Sequence, residues 1–254
     1  MIEIIPAIIP KSFADLQEKM SAVTGFVPLV QVDVTDGVFV PSKSWPYQKG
    51  VAQTDPDFAA IVKEEGGFPL WEELDFEVDL MVANPEAVLQ DWISAGAKRL
   101  IVHLEAITTA GDDPKKVFER IKKNLPSRES LVYIEIGVAI NPDTPNEVLE
   151  PILEYVDSVQ FMGISKIGFQ GQPFDERVLE KVSALRAARP NVTISVDGSV
   201  NLDTAPKLVQ AGVSRLVIGS AIFGSENIAA TIEDFFAIAD GGDTSDAEDA
   251  AGTV

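Results

Sequence analysis

Short apolar runs rich in valine and isoleucine alternate along the chain with amphipathic stretches and turn residues. The apolar runs predict strands at 2–9, 29–34, 76–82, 99–104, 131–138, 158–162, 193–196 and 215–218. Between them the spacing predicts helices at 13–23, 56–64, 85–94, 114–124, 145–153, 176–188, 204–210 and 226–238. Several open on residues that a first helical turn favours, as at Asn84-Pro85, Asp113-Pro114 and Thr144-Pro145. Eight strands buried on both faces, each followed by a helix, predict an α/β protein built as a single (β/α)8 TIM barrel. An open doubly wound sheet would carry a glycine-rich turn after its first strand, and Pro10-Lys11-Ser12 is not one.

Two regions break the alternation. Residues 41–74, with Trp45, Tyr47 and Trp71, run longer than a strand-to-helix connection needs. The segment starts on the catalytic face of a barrel, so a lid and a packed surface excursion are both open readings. Residues 240–254 hold five acids and no base among glycine, alanine, serine and threonine, which predicts a disordered acidic tail. The barrel is therefore assigned to 1–239 as one domain.

Composition narrows the function classes. The 254 residues include 40 acids, 20 bases and no cysteine, for a net charge of −20. Without cysteine there is no disulfide framework, thiolate metal site or cysteine nucleophile. So acidic a surface repels phosphate backbones and anionic lipid, which argues against nucleic-acid and membrane partners. No apolar run reaches the ~18–20 residues of a spanning helix. The first residues lack a basic start and a cleavage pattern, so a cytoplasmic protein is expected.

In a barrel, chemistry sits where strands end at the C-terminal face. Those ends carry Gln31, Asp33, Asp36-Gly37, Asp79 with Met81, His103 with Glu105, Gly163, Asp197-Gly198 and Gly219-Ser220. A buried aspartate needs a partner, a metal or a task, because taking its charge out of water costs several kcal/mol, roughly. Asp36 reads as a turn-former; Asp33 and Asp197, inside apolar strands, read as functional. Small residues follow three late strands, at Gly168 and Gly171, at Gly198-Ser199 and at Gly219-Ser220. Backbone N–H groups there can approach a phosphate closely. The single histidine, His103, reads as a satisfied polar residue at a strand end, and Trp92 as helix-packing core.

Seven motifs now resemble one family. They are QVDVTDGVFVP at 31–41, VDLMVANP at 78–85, IVHLEA at 101–106, GVAINP at 137–142, GFQGQ at 168–172, SVDGSVN at 195–201 and GSAIFG at 219–224. In this order, over residues 6–236, they resemble the ribulose-phosphate 3-epimerase family. The resemblance implies a ribulose-phosphate-binding barrel that inverts the carbinol carbon next to the carbonyl of a phosphorylated ketose. Asp33 and Asp197 correspond to its acid and base, and a divalent metal would stabilise the developing enediolate. It also implies a homo-oligomer and substrate contacts from Met81, Gly168, Gly171, Gly198, Ser199, Gly219 and Ser220.

The chain departs from the family at the metal. The two family histidines are Gln31 and Asp79 here, so Gln31, Asp33, Asp79 and Asp197 form an all-oxygen candidate shell. That shell suits Mg²⁺ or Mn²⁺ better than Zn²⁺. The alternative is that Lys166 or an arginine neutralises the carboxylates. Other departures are Ala7, Pro10, Thr35 and the length of 41–74. Two other functions stay open: a non-catalytic sugar-phosphate-binding protein, and a different reaction on the same barrel. The latter expects an Asp-x-Lys-x-x-Asp run, which Asp33-Val34-Thr35-Asp36 does not supply.

Overall fold

The computed structural model describes residues 2–49, 52, 55–126, 130, 133–169 and 171–241. Gln170, the start of the predicted 131–138 strand, and residues 242–254 of the acidic tail lie outside the described residues. Among the described residues eight strands close into an all-parallel barrel in sequence order. They are β1 (Glu3–Ile8), β2 (Leu29–Thr35), β3 (Asp75–Met81), β4 (Arg99–His103), β5 (Glu135–Ile140), β6 (Ser158–Met162), β7 (Thr193–Asp197) and β8 (Arg215–Ile218). The helices are α1 (Phe13–Val23), α2 (Pro56–Val62), α3 (Leu89–Ser94), α4 (Leu104–Thr109), α5 (Pro114–Asn124), α6 (Arg177–Ala188), α7 (Ala205–Ala211), α8 (Ser220–Phe223) and α9 (Ile228–Ala239).

Local chemistry explains the elements that match their sequence signals. Ser12 caps α1 by accepting from the Asp15 N–H at 3.1 Å, and Asp113 with Pro114 starts α5. The predicted helix at 145–153 is instead a 3₁₀ turn, Asn146–Leu149. Pro151 has no N–H and crowds the preceding turn, so the helix cannot propagate. The fifth strand is described from Glu135, not from 131, and α4 and α8 are short helices that the pattern did not predict.

Alternation along each strand sorts the side chains. One set of positions, including Ile4, Ile8, Val30, Val32, Val34, Val78 and Leu80, belongs to the large apolar core beneath the helices. The other set faces the barrel axis, and much of it is polar. At the N-terminal end Arg99 bonds Glu3 and Glu77 at 3.0 and 3.1 Å, and Arg215 bonds Glu3 and Glu135 at 3.0 and 2.6 Å. This ion network plugs the barrel floor. Burial outweighs both arginines at Glu77 and pushes its pKa up to about 7.

The 41–74 segment is a packed excursion. Trp45 is buried against Phe13, Phe58 and Trp92, with ring centroids 5.5, 5.7 and 6.3 Å away. Its indole N–H donates to Asp55 at 2.9 Å. Trp92 is core, as its sequence setting predicts, while Trp71 is 65% exposed. The excursion also locks the end of β2: the Ser44 hydroxyl donates to the Asp33 carbonyl at 3.0 Å and accepts from the Thr35 N–H at 2.9 Å. Functional geometry thus begins in the excursion's anchor.

Candidate active site

Register brings the acids together. Asp33 on β2 pairs with Asp79 on β3, so two inward-facing carboxylates sit side by side. Asp197 ends β7, next to Met162 of β6 and Val217 of β8. One carboxylate oxygen from each of Asp33, Asp79 and Asp197 lies within 4.8 Å of the others. Asp33 and Asp197 are 5% and 8% exposed and open into a cavity at the mouth; Asp79 and Gln31 lie fully buried.

Gln31 takes an unexpected place in the cluster. Its amide nitrogen donates to Asp33 Oδ1 at 2.7 Å and to Asp197 Oδ2 at 2.8 Å, bridging the two carboxylates. The sequence reading assigns Gln31 an oxygen ligand, whereas in this structure the nitrogen faces the acids. Its Oε1 is buried without a hydrogen-bond partner, and so is Asp79 Oδ2. Lys166 is exposed and does not neutralise the carboxylates. The imidazole of His103 reaches them instead, with Nε2 3.0 Å from Asp79 Oδ1.

The electrostatics follow from burial. Asp33 is held well above the ordinary carboxylate range, first by desolvation, then by Asp197 and Asp79, with Gln31 opposing. Desolvation and then Asp79 push Asp197 up to about 7. At His103 burial opposes the charge, but the Asp79 carboxylate outweighs it, and the ring titrates above its usual value. His103 is only half satisfied, since its Nδ1 has no partner.

The late loops meet the acids. Met81, Gly168, Gly171, Gly198, Ser199, Gly219 and Ser220 line one cavity with Asp33 and Asp197; Ala7, Phe169 and Gln172 join them. Two glycines are required by close approach. A Cβ on Gly163 would lie 2.2 Å from the Gly198 carbonyl oxygen, and Gly198 itself has φ +109°. The Ser199 hydroxyl, from a left-handed backbone, ties this turn to the Gln172 carbonyl. Asp36 is a turn-former: it accepts from Val38, Phe39 and Ala83 N–H groups at 2.8–3.0 Å.

An apolar roof covers the mouth. Phe39, Val40, Ile164 and Ile167 pack over Met81, Ile101, Ala139 and Met162. The cavity left beneath is ≈ 50 Å³, far below the roughly 300 Å³ at which ligand pockets begin. The roof comes from the loops after β2 and β6, and no described residue of 41–74 belongs to it.

The mouth of a parallel barrel thus gathers three buried carboxylates beside the glycine turns that follow β6, β7 and β8. The sequence profile of the ribulose-phosphate 3 epimerase family matches residues 3–223, and the chain belongs to that family. Ribulose-phosphate 3-epimerase of Bacillus subtilis is 30% identical over 233 residues, covering 89% of this chain and 94% of that protein. The chloroplastic ribulose-5-phosphate-3-epimerase of Arabidopsis thaliana is 33% identical, covering 91% and 75%. These relatives bear out the reading of the chain as an epimerase-like isomerase. The fold also matches 3-hexulose-6-phosphate synthase from Salmonella typhimurium, with TM-score 0.63, 13% identity and coverage of 95% and 100%. Among the described residues no helix is long and apolar enough to cross a membrane.

Proposed function

We propose that this chain epimerises the carbinol carbon next to the carbonyl of a phosphorylated ketose, ribulose 5-phosphate or a close relative. The observation that carries the reading is the placement of Asp33 and Asp197 on β2 and β7, either side of one amide nitrogen, at the floor of the amide-lined cavity. One carboxylate removes the proton α to the carbonyl; the other returns a proton to the opposite face. Raised proton affinity suits this work: in the metal-free site Asp197 titrates at about 7, and burial shifts Asp33 in the same direction. Backbone N–H groups of Gly171, Gly198, Ser199, Gly219 and Ser220 hold the phosphate. The roof of Phe39, Val40, Ile164 and Ile167 excludes water from the exposed carbanion.

The donor set fits a hard divalent cation. Three carboxylates converge, and two of the buried oxygens there, Asp79 Oδ2 and Gln31 Oε1, lack partners. Turning the Gln31 amide over would present Oε1 with the carboxylates, an all-oxygen shell for Mg²⁺ or Mn²⁺. When bound, such an ion supplies positive charge for the oxygen anion that forms as the proton leaves.

The direct test is solvent exchange. Ribulose 5-phosphate in D₂O is expected to acquire deuterium at C3 and to yield its C3 epimer. Chelation should abolish both, with Mg²⁺ or Mn²⁺ restoring them better than Zn²⁺. Binding without exchange under every metal condition would leave a non-catalytic sugar-phosphate protein.

The phosphate assignment is checked by Gly219→Val. A side chain there obstructs backbone approach, and losing one bond to a charged group costs about 1.5–3 kcal/mol, roughly tenfold or more in affinity. Calorimetry with the phosphosugar reads the loss. Unchanged affinity in a folded variant places the phosphate elsewhere.

A further inference from the structure

We propose that His103 is a positioning residue for the cation site: it holds one oxygen of Asp79 so that the other is delivered to Asp33 and Asp197. The inference rests on the reading of this cluster as a divalent-cation site. The local geometry is specific. Asp79 and His103 are both fully buried, and Nε2 lies 3.0 Å from Oδ1. Oδ2 of the same carboxylate has no partner. Asp79 pairs in register with Ile101, so His103, two residues further along β4, faces the axis one step nearer the mouth. The Phe39 ring packs against the imidazole with centroids 5.5 Å apart, which fixes the ring's orientation.

A merely structural ion pair explains this poorly. Buried pairs contribute little net stability compared with apolar residues of the same volume. This one also leaves a carboxylate oxygen and an imidazole nitrogen unsatisfied, each a desolvation cost. A ligand taken by Oδ2 removes the first of those costs. A carboxylate fixed through one oxygen has also lost its rotational freedom before the ion arrives. Histidine then acts outside the ligand shell, orienting an acid that does the ligating.

The test is Mn²⁺ affinity of the full chain, read by electron paramagnetic resonance of free Mn²⁺, beside the melting temperature of the chelated protein. His103→Phe keeps the ring and removes the donor; His103→Gln keeps a donor at comparable reach; His103→Asn is too short. The expected result is a loss of about 10–100-fold in Mn²⁺ affinity for His103→Phe and His103→Asn, with His103→Gln retaining most of it. Should His103→Phe not fold, the Gln and Asn variants decide. Equal Mn²⁺ affinity in those two, or a lowered metal-free melting temperature with unchanged affinity, overturns the positioning role. If the wild-type chain takes up no Mn²⁺, the cation reading itself falls, and the positioning role with it.

Discussion

Asp33→Asn and Asp197→Asn are each expected to cut epimerisation by about 10²–10⁴-fold, and to fail on opposite epimers. Both substitutions keep shape and burial while removing the basic oxygen. In a two-base reaction the proton leaves to one carboxylate and returns from the other. With Asp33 gone, the epimer whose C3 proton faces Asp197 still loses it and washes in deuterium. The other epimer is inert. Asp197→Asn reverses the pattern. Proton NMR in D₂O, started from each epimer separately, reads the two half-reactions. If either variant still binds Mn²⁺ yet abolishes exchange from both epimers equally, one residue serves both faces; lost Mn²⁺ binding marks a broken cation site instead. If both variants retain full turnover, neither aspartate is the acid or base.

Much of this arrangement is legible in the sequence, because strands and turns are local. β6, β8, α1 and α5 lie where their periodicity puts them. Asp33, Asp79 and Asp197 interrupt apolar strands at their C-terminal ends, and a closed barrel brings such positions to one mouth. Pairing partners are less legible. That His103 meets Asp79 depends on the β3–β4 register, which a lone histidine cannot announce. The amide of Gln31 faces the acids by rotamer choice, a matter of tertiary electrostatics. The barrel floor does carry a signal: Glu3, Arg99, Glu135 and Arg215 each open their strand, and such terminal charges converge when the barrel closes. The 3₁₀ turn before β6 is also readable, since Pro151 stands inside the predicted helix.

The same buried acids should make the metal-free protein lose stability as pH rises. Asp33 and Asp197 bind protons more tightly folded than unfolded. Their stabilising contribution is complete below the unfolded value near 3.8; that of Asp197 is lost as pH rises through about 7, and that of Asp33 as pH rises through its own raised folded value. Asp197→Asn removes one of these groups and keeps its volume. In the chelated protein it is therefore expected to be neutral near pH 4 and stabilising at pH 8, by on the order of 2–4 kcal/mol. For a chain of this size that is a rise of roughly 5–10 °C in melting temperature. Glu77 and His103 also titrate above their ordinary values, so the wild-type slope alone does not isolate the site; the difference between variant and wild type does. Saturating Mg²⁺ should raise the wild-type melting temperature more at pH 8 than at pH 5, because ion and protons compete for the same oxygens. Scanning calorimetry across pH 4–8, with and without chelator, checks both signs. A variant equally stable with wild type at pH 8 would mean that the cluster carries no electrostatic strain in the folded state. Asp33 and Asp197 would then ionise near the ordinary carboxylate range, too acidic to share a proton at neutral pH.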